Sequence, residues 1–317
     1  MERGARIYVA GHTGLAGSAI LRALERAGYS NLVLRRHVEL ELTDARAVAA
    51  FFERERPAYV FLAAAKVGGI LANDSYPADF IRENLAVQLN VIHEAWRARV
   101  KRLLFLGSSC IYPRDCPQPM KEEYLLSGPL EPTNRAYALA KIAGVEMCRS
   151  YNRQHGARFL AVMPANLYGP GDTYDLRNSH VLPALIRKIH EAKQGGAREV
   201  TLWGSGRPRR EFLLSDDMAE ACVLLMRLPE AEFDRLVGPA PLINIGAGAD
   251  QSIAELAALI AEVLGYRGEF VYDASKPDGT PRKLLDSARL MALGWTPRTA
   301  LLDGLKLAYD DFLRSRA

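Results

Sequence analysis

The first half of the chain alternates short apolar runs with longer segments whose apolar residues recur at helical spacing. The apolar runs occupy residues 6–10, 31–35, 58–64, 102–107 and 158–164, and the helical patterns occupy 15–28, 44–56, 77–99 and 134–155. Continuous apolar runs of this length are typical of strands buried on both faces of a parallel sheet. The alternation therefore predicts an α/β fold, a Rossmann-like doubly wound parallel sheet with helices on both faces.

A glycine-rich turn, AGHTGLAGSAI at 10–20, lies where the first apolar run gives way to the first helical pattern. Gly11, Gly14 and Gly17 are spaced GxxGxxG, which differs from the GxGxxG of the strict dinucleotide fingerprint. Glycines here still permit a tight turn, close approach of a pyrophosphate, and close packing of helix and strand. The N-terminus of the following helix favours a bound phosphate. The position of the turn predicts a dinucleotide site in preference to a glycine-rich loop without a ligand.

Two arginines follow the second apolar run, Arg35 and Arg36 in LVLRRH at 32–37. A carboxylate at this place hydrogen-bonds the ribose of NAD, whereas arginine suits the 2′-phosphate of NADP and can bind it bidentately. The predicted cofactor is NADP(H). The alternative is that both arginines only form a solvated edge.

The second half of the chain is less regular. Helical patterns occur at 179–192, 252–264 and 303–314, and short strands are predicted at 200–203 and 269–273. We interpret this half as a smaller α/β substrate lobe that is partly interleaved with the sheet domain. The expected division is an NADP-binding domain at 1–166, to which part of 211–248 returns, and a mainly substrate-binding lobe at 167–317.

Composition limits the class of partner. The 317 residues carry a net charge of +4, with basic residues mostly interspersed among acidic ones, which argues against nucleic acid as the main partner. The four cysteines, at 110, 116, 148 and 222, lack CxxC spacing, and no signal-like apolar stretch begins the chain. These features indicate a reducing cytoplasm, and we expect no metal ion. No apolar run approaches the roughly 18 residues that span a bilayer, so no membrane association is expected.

A serine, a tyrosine and a lysine form a candidate catalytic group. NRAYALAKIAG at 134–144 places Tyr137 and Lys141 four apart, on one face of a helix, and Ser108 follows the fourth apolar run. A lysine beside a phenol is expected to lower its pKa, and Tyr137 would then exchange a proton with an oxygen to which Ser108 also donates. Alone, Tyr137 and Lys141 could be a surface aromatic packed on a lysine stem. Together with Ser108 and the glycine-rich turn they predict catalysis.

With these motifs the sequence resembles the extended short-chain dehydrogenase/reductase superfamily, and within it the GDP-L-fucose synthase family of 3,5-epimerase-4-reductases. The resemblance covers nearly the whole chain, through GHTGLAGSAI, LAAAKVGGI (62–70), LFLGSSCIYP (104–113), EPTNRAYALAKIAG (131–144), MPANLYGP (163–170), NSHVLPALIRK (178–188), WGSGRPRREFL (203–213) and KPDGTPRKLLD (276–286). The cysteine of GSSCIYP, NSH and KPDGTPRK are the features that distinguish this family within the superfamily.

The resemblance implies a reaction and its catalytic residues. The reaction is NADPH-dependent conversion of GDP-4-keto-6-deoxy-D-mannose to GDP-L-fucose, with epimerisation at C3 and C5 before reduction at C4, because reduction removes the carbonyl that acidifies the two positions. The implied catalytic residues are Ser108, Cys110, Tyr137, Lys141 and His180, with Cys110 as the base and His180 as the acid of the epimerisations. If the chain stays extended after the strand, Cys110 faces the same cleft as Ser108, and His180 or Lys141 would favour its thiolate. Without the resemblance, Cys110 would be interpreted as a buried inert thiol and His180 as a capping or structural histidine.

The resemblance also implies binding residues. Those for NADP(H) are Gly11, Thr13, Gly14, Leu15, Ala16, Gly17, Arg35, Arg36, His37, Leu106, Gly107, Ser108, Ser109, Lys141, Pro164, Asn166, Leu167 and His180. Those for the GDP-sugar are Asn166, Lys188, Trp203, Arg210 and Asp278. Singly, Lys188 could be a solvated helix residue, Trp203 a core residue, and Arg210 an ion-pair partner of Glu211 or Asp216. Thr13 and His37 stand where some family members carry arginine, so selectivity for NADP is expected to be looser.

Three expectations remain open. The helices at 77–99 and 134–155 pair into a two-fold bundle in this superfamily, so a homodimer is expected by analogy. An NAD-dependent nucleotide-sugar 4-epimerase or 4,6-dehydratase is the nearest alternative function, and Cys110 with the arginines at 35 and 36 argues against it. A non-catalytic NADP-sensing Rossmann protein is an alternative of another class, against which the joint presence of Ser108, Tyr137 and Lys141 argues.

Overall fold

Strands and helices alternate along the chain in a computed structural model that describes residues 1–176, 179–276 and 278–316. The strands in these ranges are β1 (Ile7–Ala10), β2 (Leu32–Val33), β3 (Tyr59–Leu62), β4 (Arg102–Leu106), β5 (Phe159–Pro164), β6 (Asn166–Tyr168), β7 (Glu199–Trp203), β8 (Arg209–Leu214), β9 (Leu242–Ile245), β10 (Asp250–Ser252), β11 (Glu269–Asp273) and β12 (Arg282–Lys283). The α-helices are α1 (Leu15–Arg26), α2 (Ala45–Glu55), α3 (Ile70–Ser75), α4 (Pro77–Arg97), α5 (Arg135–His155), α6 (Val181–Gln194), α7 (Ser215–Arg227), α8 (Glu230–Leu236), α9 (Ile253–Leu264), α10 (Ala288–Met291) and α11 (Leu301–Arg316).

The predicted strands and helices of both halves are confirmed to within two residues at each end. The elements that the sequence patterns do not predict include α7, β8 and β9. Strand β9 completes the large sheet, β8 is the central strand of a small sheet, and α7 packs against α1. Short turns of 3-10 helix also lie at Ser109–Ile111, Glu122–Tyr124 and Pro132–Asn134. The first and third of these turns border the site described below.

A parallel sheet in the order β2-β1-β3-β4-β5-β9 forms the larger layer. Strands β1, β3, β4, β5 and β9 are buried along their whole length, as a sheet covered on both faces requires. Helix α1 packs against α7, and α4 packs against both α2 and α5. The predicted doubly wound α/β fold is confirmed.

The sixth strand of this sheet comes from late in the chain. Residues 161–164 of β5 pair in parallel with residues 242–245 of β9. Helix α7, which is separated from β9 by the short helix α8, makes its most extensive packing contact with α1. Residues far beyond the first half of the chain therefore complete the large sheet and one of its helical layers.

A second hydrophobic core lies apart from the first. It is built from α6, α9, α11 and the small sheets, and includes Leu182, Ile186, Leu202, Phe212, Leu256, Ile260 and Phe312. One small sheet has the order β10-β8-β12, with β6 also pairing to β8, and the other pairs β11 with β7. The N-terminus of α9 carries a capping box, in which Ser252 and Glu255 satisfy each other's backbone N–H groups. The two cores face each other across a cavity.

Candidate active site

The cavity between the two cores has a volume of about 1390 Å³. Its walls come from the glycine-rich turn, the carboxyl ends of the parallel strands, the start of α5, the start of α6, and the small sheets. Ligands of open parallel α/β sheets bind at this edge. All the residues that the sequence predicts for cofactor, substrate or catalysis line the cavity, with the exception of Arg36.

The glycine-rich turn leaves no room for side chains at two positions. Gly11 has φ +82°, and a Cβ atom on it would lie 2.8 Å from the backbone of Ala64. A Cβ atom on Gly17 would lie 2.0 Å from the carbonyl oxygen of Gly11. Helix α1 thus begins directly against the turn, and no side chain caps its N-terminus. The turn forms a cradle of backbone with the positive end of a helix dipole at its base, which suits a diphosphate.

The segment after β2 places two of its three predicted side chains in the wall. Arg35 lines the cavity, and its guanidinium donates to Glu55 Oε1 at 2.7 Å and to the carbonyl of Leu34 at 2.7 Å. His37 also lines it, 3.2 Å from Glu41. Arg36, the third, does not line the cavity. Its backbone N–H and side chain both bond to Glu39, and this local turn directs the guanidinium into solvent.

Ser108, Tyr137 and Lys141 meet in the cavity, because β4 and α5 bring them together. Lys141 is buried, with Nζ donating to the carbonyl of Leu106 at 2.7 Å and lying 5.8 Å from the ring centre of Tyr137. Burial lowers the pKa of Lys141 from 10.5 to about 7.

The expected direction of the Tyr137 pKa is wrong. Burial and the negative charge of Cys110 raise the pKa of this phenol well above 10.0, and the hydrogen bond with Ser108 only partly opposes them. Desolvation outweighs the neighbouring lysine, because that lysine is itself buried and loses much of its charge near neutral pH. Tyr137 therefore keeps its proton and is suited to donate it.

Cys110 lines the same cavity as Ser108, although the reasoning that predicted this is wrong. The chain is not extended past β4, because Ser109–Ile111 form a turn of 3-10 helix. Ser108 Oγ accepts the backbone N–H of Cys110 at 3.2 Å and fixes this turn. The thiol sulfur accepts from Asn134 Nδ2 at 3.2 Å and from Lys283 Nζ at 3.4 Å.

The pKa of the Cys110 thiol is lowered from its ordinary value. Burial raises it, but the charge of Lys283, the hydrogen bond with Ser108 and the charge of Arg210 together outweigh burial. The expectation that His180 or Lys141 supplies this positive charge is wrong, since Lys283 and Arg210 do so. The sequence predicts no role for Lys283 or Asn134, although Lys283 lies in the motif KPDGTPRK and Asn134 in EPTNRAYALAKIAG.

His180 directly precedes α6 and points into the cavity. It makes no side-chain cap of that helix, so its interpretation as a capping histidine is wrong. Removal from bulk water lowers its pKa, and the positive charge of Lys283 lowers it further. Asn178 of the NSH motif lies outside the described residues, as does Pro277 of KPDGTPRK.

The second lobe contributes an aromatic ring between two ammonium groups. The Trp203 side chain is 47% exposed, so it is not a core residue. Lys188 Nζ lies 5.0 Å and Lys276 Nζ 5.6 Å from its ring centre. Lys188 is half-buried, and burial lowers its pKa. The interpretation of Lys188 as a solvated helix residue is therefore wrong too.

Arg210 and Asp278 also line the cavity. Arg210 donates to the carbonyl of Asp278 at 3.4 Å, and the Asp278 carboxylate accepts from the N–H and hydroxyl of Ser205 at 2.7 and 2.8 Å. The alternative partners of Arg210 are otherwise engaged. Asp216 pairs with Arg22 and Arg26, and the Glu211 carboxylate accepts the N–H groups of Gly248 and Leu285. Asn166 donates to the carbonyl of Glu211 at 2.8 Å and lines the cavity too.

The chain matches known proteins along nearly its whole length. The family model described as "NAD dependent epimerase/dehydratase family" matches residues 7–246. The chain is 55% identical over 314 residues to "GDP-L-fucose synthase 1" of Arabidopsis thaliana, covering 99% of this chain and 95% of the relative. It is 54% identical over 314 residues to "GDP-L-fucose synthase" of Escherichia coli (strain K12), covering 98% and 97%.

Solved structures agree in fold. The structure of a GDP-L-fucose synthetase from Naegleria fowleri bound to NADP is 28% identical, with a TM-score of 0.88, and the similarity covers 100% of this chain and 96% of that one. Within the described part of the chain, no helix is long and apolar enough to cross a membrane.

Proposed function

This chain belongs to the NAD dependent epimerase/dehydratase family and, within it, to the GDP-L-fucose synthase family, and we propose that it converts GDP-4-keto-6-deoxy-D-mannose to GDP-L-fucose with NADPH. The observation that carries this proposal is the place of one thiol. Cys110 lines the cavity that also contains Ser108, Tyr137 and Lys141, so a base for epimerisation stands beside the groups for carbonyl reduction. The names of the relatives support the substrate.

The walls of the cavity fit the cofactor. The backbone cradle of the glycine-rich turn would hold the diphosphate, and a side chain at position 17 would collide with the backbone of Gly11 and displace the turn. Arg35 and His37 would hold the 2′-phosphate, and Lys141 the nicotinamide ribose. Bound NADPH supplies the hydride that reduces C4. Leu106, Gly107, Ser109, Pro164 and Leu167 form the rest of this wall.

Epimerisation uses the cysteine and the histidine. The thiolate of Cys110 removes the proton from C3 or C5, and the electrons of that C–H bond pass onto the C4 oxygen as an enolate. Ser108 and Tyr137 donate hydrogen bonds to this oxygen and stabilise its charge. His180 returns a proton to the carbon from the other face of the ring, which inverts the centre. A neutral Tyr137 suits this role, because only the protonated phenol can donate.

Reduction follows at the same oxygen. When hydride reaches C4, the developing alkoxide takes the proton of Tyr137, and Ser108 keeps its hydrogen bond throughout. Lys141 lies on the same helical face as Tyr137 and would orient both ribose and phenol. The same two oxygen ligands thus serve the enolate of the first stage and the alkoxide of the second.

The second lobe is suited to a nucleoside diphosphate. Lys188 and Arg210 would neutralise the diphosphate, because both line the cavity with positively charged side chains. Trp203 offers an exposed ring face for a base, and Asp278 offers carboxylate oxygens to donors of the ribose or guanine. Asn166 would contact the sugar from the wall between the lobes. Two separate cores support the division into an NADP-binding part, 1–166 with returning segments of 211–248, and a substrate part, 167–317.

A homodimer and a cytoplasmic location are also proposed. Helices α4 and α5 pack along each other and expose Leu85, Leu89 and Leu139 to solvent, which a second copy would cover. The cysteines are all unpaired, as a reducing compartment favours. Light scattering of the parent and of Leu89→Glu tests the dimer, and a parent of monomer mass would refute it.

One assay tests the proposed reaction. Purified protein, NADPH and GDP-4-keto-6-deoxy-D-mannose are mixed, NADPH absorbance is followed, and the product is identified by NMR. Consumption of one NADPH per GDP-L-fucose formed is expected. Tightly retained NAD without net consumption of NADPH would favour a 4-epimerase or 4,6-dehydratase, and cofactor binding without turnover would favour a non-catalytic sensor. Either result would refute the proposal.

A further inference from the structure

Two hydrogen-bond donors lie against the sulfur of Cys110, and the reaction described above uses neither. One is the amide of Asn134, with Nδ2 at 3.2 Å, and the other is the ammonium of Lys283, with Nζ at 3.4 Å. A neutral thiol is a weak acceptor with one proton to donate, whereas a thiolate only accepts. A sulfur that faces one amide donor and one cation is therefore placed as an anion would be.

Lys283 is held at the sulfur by its strand. In β12 it lies opposite Arg210 of β8. The two residues that follow are anchored through their backbone N–H groups, Leu284 to Gln118 Oε1 at 2.9 Å and Leu285 to Glu211 Oε2 at 2.9 Å. Such anchoring fixes the lysine stem at its base and reduces the conformational entropy lost when the ammonium meets the sulfur.

The charge of Lys283 is directed at the thiol. In the described ranges no carboxylate forms a salt bridge with Lys283, whereas the adjacent Arg282 points away from the cavity and pairs with Asp250. The two residues of β12 thus carry positive charge in opposite directions. Of these two charges, that of Lys283 faces the sulfur.

Asn134 contacts the sulfur of Cys110 and does not cap the helix that follows it. It occupies the N-cap position of α5, where asparagine side chains commonly accept a backbone N–H, yet it caps nothing. Its Nδ2 donates to Cys110 instead, and its Oδ1 is buried without a protein partner. The side chain is therefore oriented by the cavity and not by the helix it precedes.

We propose that Lys283 and Asn134 are positioning residues that hold Cys110 as a thiolate in the enzyme before substrate binds. The inference rests on the proposed function for the use of Cys110 as a base. The lowered pKa of Cys110 agrees with the geometry. The other charged or titratable groups facing this sulfur are Arg210 from β8, Tyr137 and Lys141 from α5, Glu131 before it, and His180 before α6.

The first test titrates the thiol without substrate. Purified protein is alkylated with iodoacetamide from pH 5 to 10, and the rate at Cys110 is measured by peptide mass spectrometry, which separates it from the other cysteines. In Lys283→Met the midpoint should rise by about 1–2 pH units, which leaves about 10–100-fold less thiolate at pH 7. Asn134→Ala should raise the alkylation midpoint by a smaller interval, and the midpoint of Lys283→Arg should stay near that of the parent.

Arg282→Met is the matched control, because it removes a positive charge from the adjacent residue of the same strand. Its midpoint should equal that of the parent. An unchanged midpoint in Lys283→Met would overturn the inference, as would an equal rise in Arg282→Met, since the effect would then come from the general field of the lobe.

The second test uses the reaction. Solvent deuterium exchange into C3 and C5 should move to higher pH in Lys283→Met by the same interval as the alkylation midpoint, and should recover as pH rises. A merely structural lesion would lower exchange at every pH and overturn the inference. If the parent exchanges no deuterium, the proposed function fails while the titration of Cys110 still decides the role of Lys283.

Discussion

Replacing Lys141 by methionine is expected to make the cofactor-free protein more stable near neutral pH while it abolishes hydride transfer. Lys141 is 3% exposed, and burial lowers its pKa from 10.5 to about 7. Between these two pH values the unfolded chain binds more protons than the folded one, so the free energy of unfolding rises with pH. Below pH 7 both states are protonated and the full penalty of burying the charge is present.

The magnitude follows from the size of the pKa shift. A depression from 10.5 to about 7 corresponds to about 5 kcal/mol at low pH, of which about 4 kcal/mol remains at pH 7 and about 2 kcal/mol at pH 9. Methionine removes this penalty but also removes the hydrogen bond from Nζ to the carbonyl of Leu106, at a cost of about 2 kcal/mol. The variant should therefore gain about 2 kcal/mol at pH 7 and almost nothing at pH 9.

Urea unfolding of the parent and of Lys141→Met at pH 7, 8 and 9 measures this difference, with the slope of each transition checked for equality. Lys193→Met calibrates the loss of a lysine-to-carbonyl hydrogen bond, since Lys193 Nζ donates to the carbonyl of Leu264 at 2.6 Å from an exposed position. A stability difference that is the same at pH 7 and pH 9, or a parent that is the more stable at both, would refute the reasoning.

Three further predictions concern catalysis and cofactor choice. Cys110→Ser should lose deuterium exchange at C3 and C5 by at least about 100-fold yet still oxidise NADPH with the unepimerised ketone; exchange at the parental rate would exclude the thiol as base. Tyr137→Phe should slow hydride transfer about 10²–10⁴-fold and should slow deuterium exchange by a smaller factor. Turnover at the parental rate, followed by stopped-flow absorbance, would refute the assignment of Tyr137 as the proton donor. Arg35→Leu should raise KM for NADPH about 10–100-fold with little change for NADH, while Arg36→Leu, outside the cavity wall, should leave both nearly unchanged; equal effects of the two variants would contradict the assignment.

The parts of the fold that sequence analysis predicted depend on local patterns. Strands such as Tyr59–Leu62 and Phe159–Pro164 are short and continuously apolar. Each can therefore be predicted from its local sequence, without reference to the rest of the chain. The pairing of Leu242–Ile245 with β5 spans about 80 residues of sequence, and no local pattern specifies such a partner. The sequence predicts that part of 211–248 returns to the sheet domain, but it does not identify β9 as the strand that pairs there.

The contacts of the candidate site also separate into those that local sequence predicts and those that depend on the folded chain. Residue types and spacing placed Ser108, Tyr137 and Lys141 together, because one strand end and one helical face suffice to do so. The contact between Cys110 and Lys283 joins residues 173 apart, and only the folded chain reveals it. The direction of the Tyr137 pKa was also inaccessible, since it depends on how far water is excluded from both Tyr137 and its lysine, and sequence spacing carries no information on burial.

The late arrival of β9 and α7 has a consequence for dissection of the protein. A fragment ending at residue 166 would keep the glycine-rich turn but leave the backbone donors and acceptors of β5 open along one side, and would strip α1 of its principal helical neighbour. Unprotected strand margins of this kind template association with other chains. The fragment 1–166 should therefore aggregate when it is expressed by itself. A chimera that exchanges lobes between relatives must transfer the segments from α7 to β9 together with the first 166 residues.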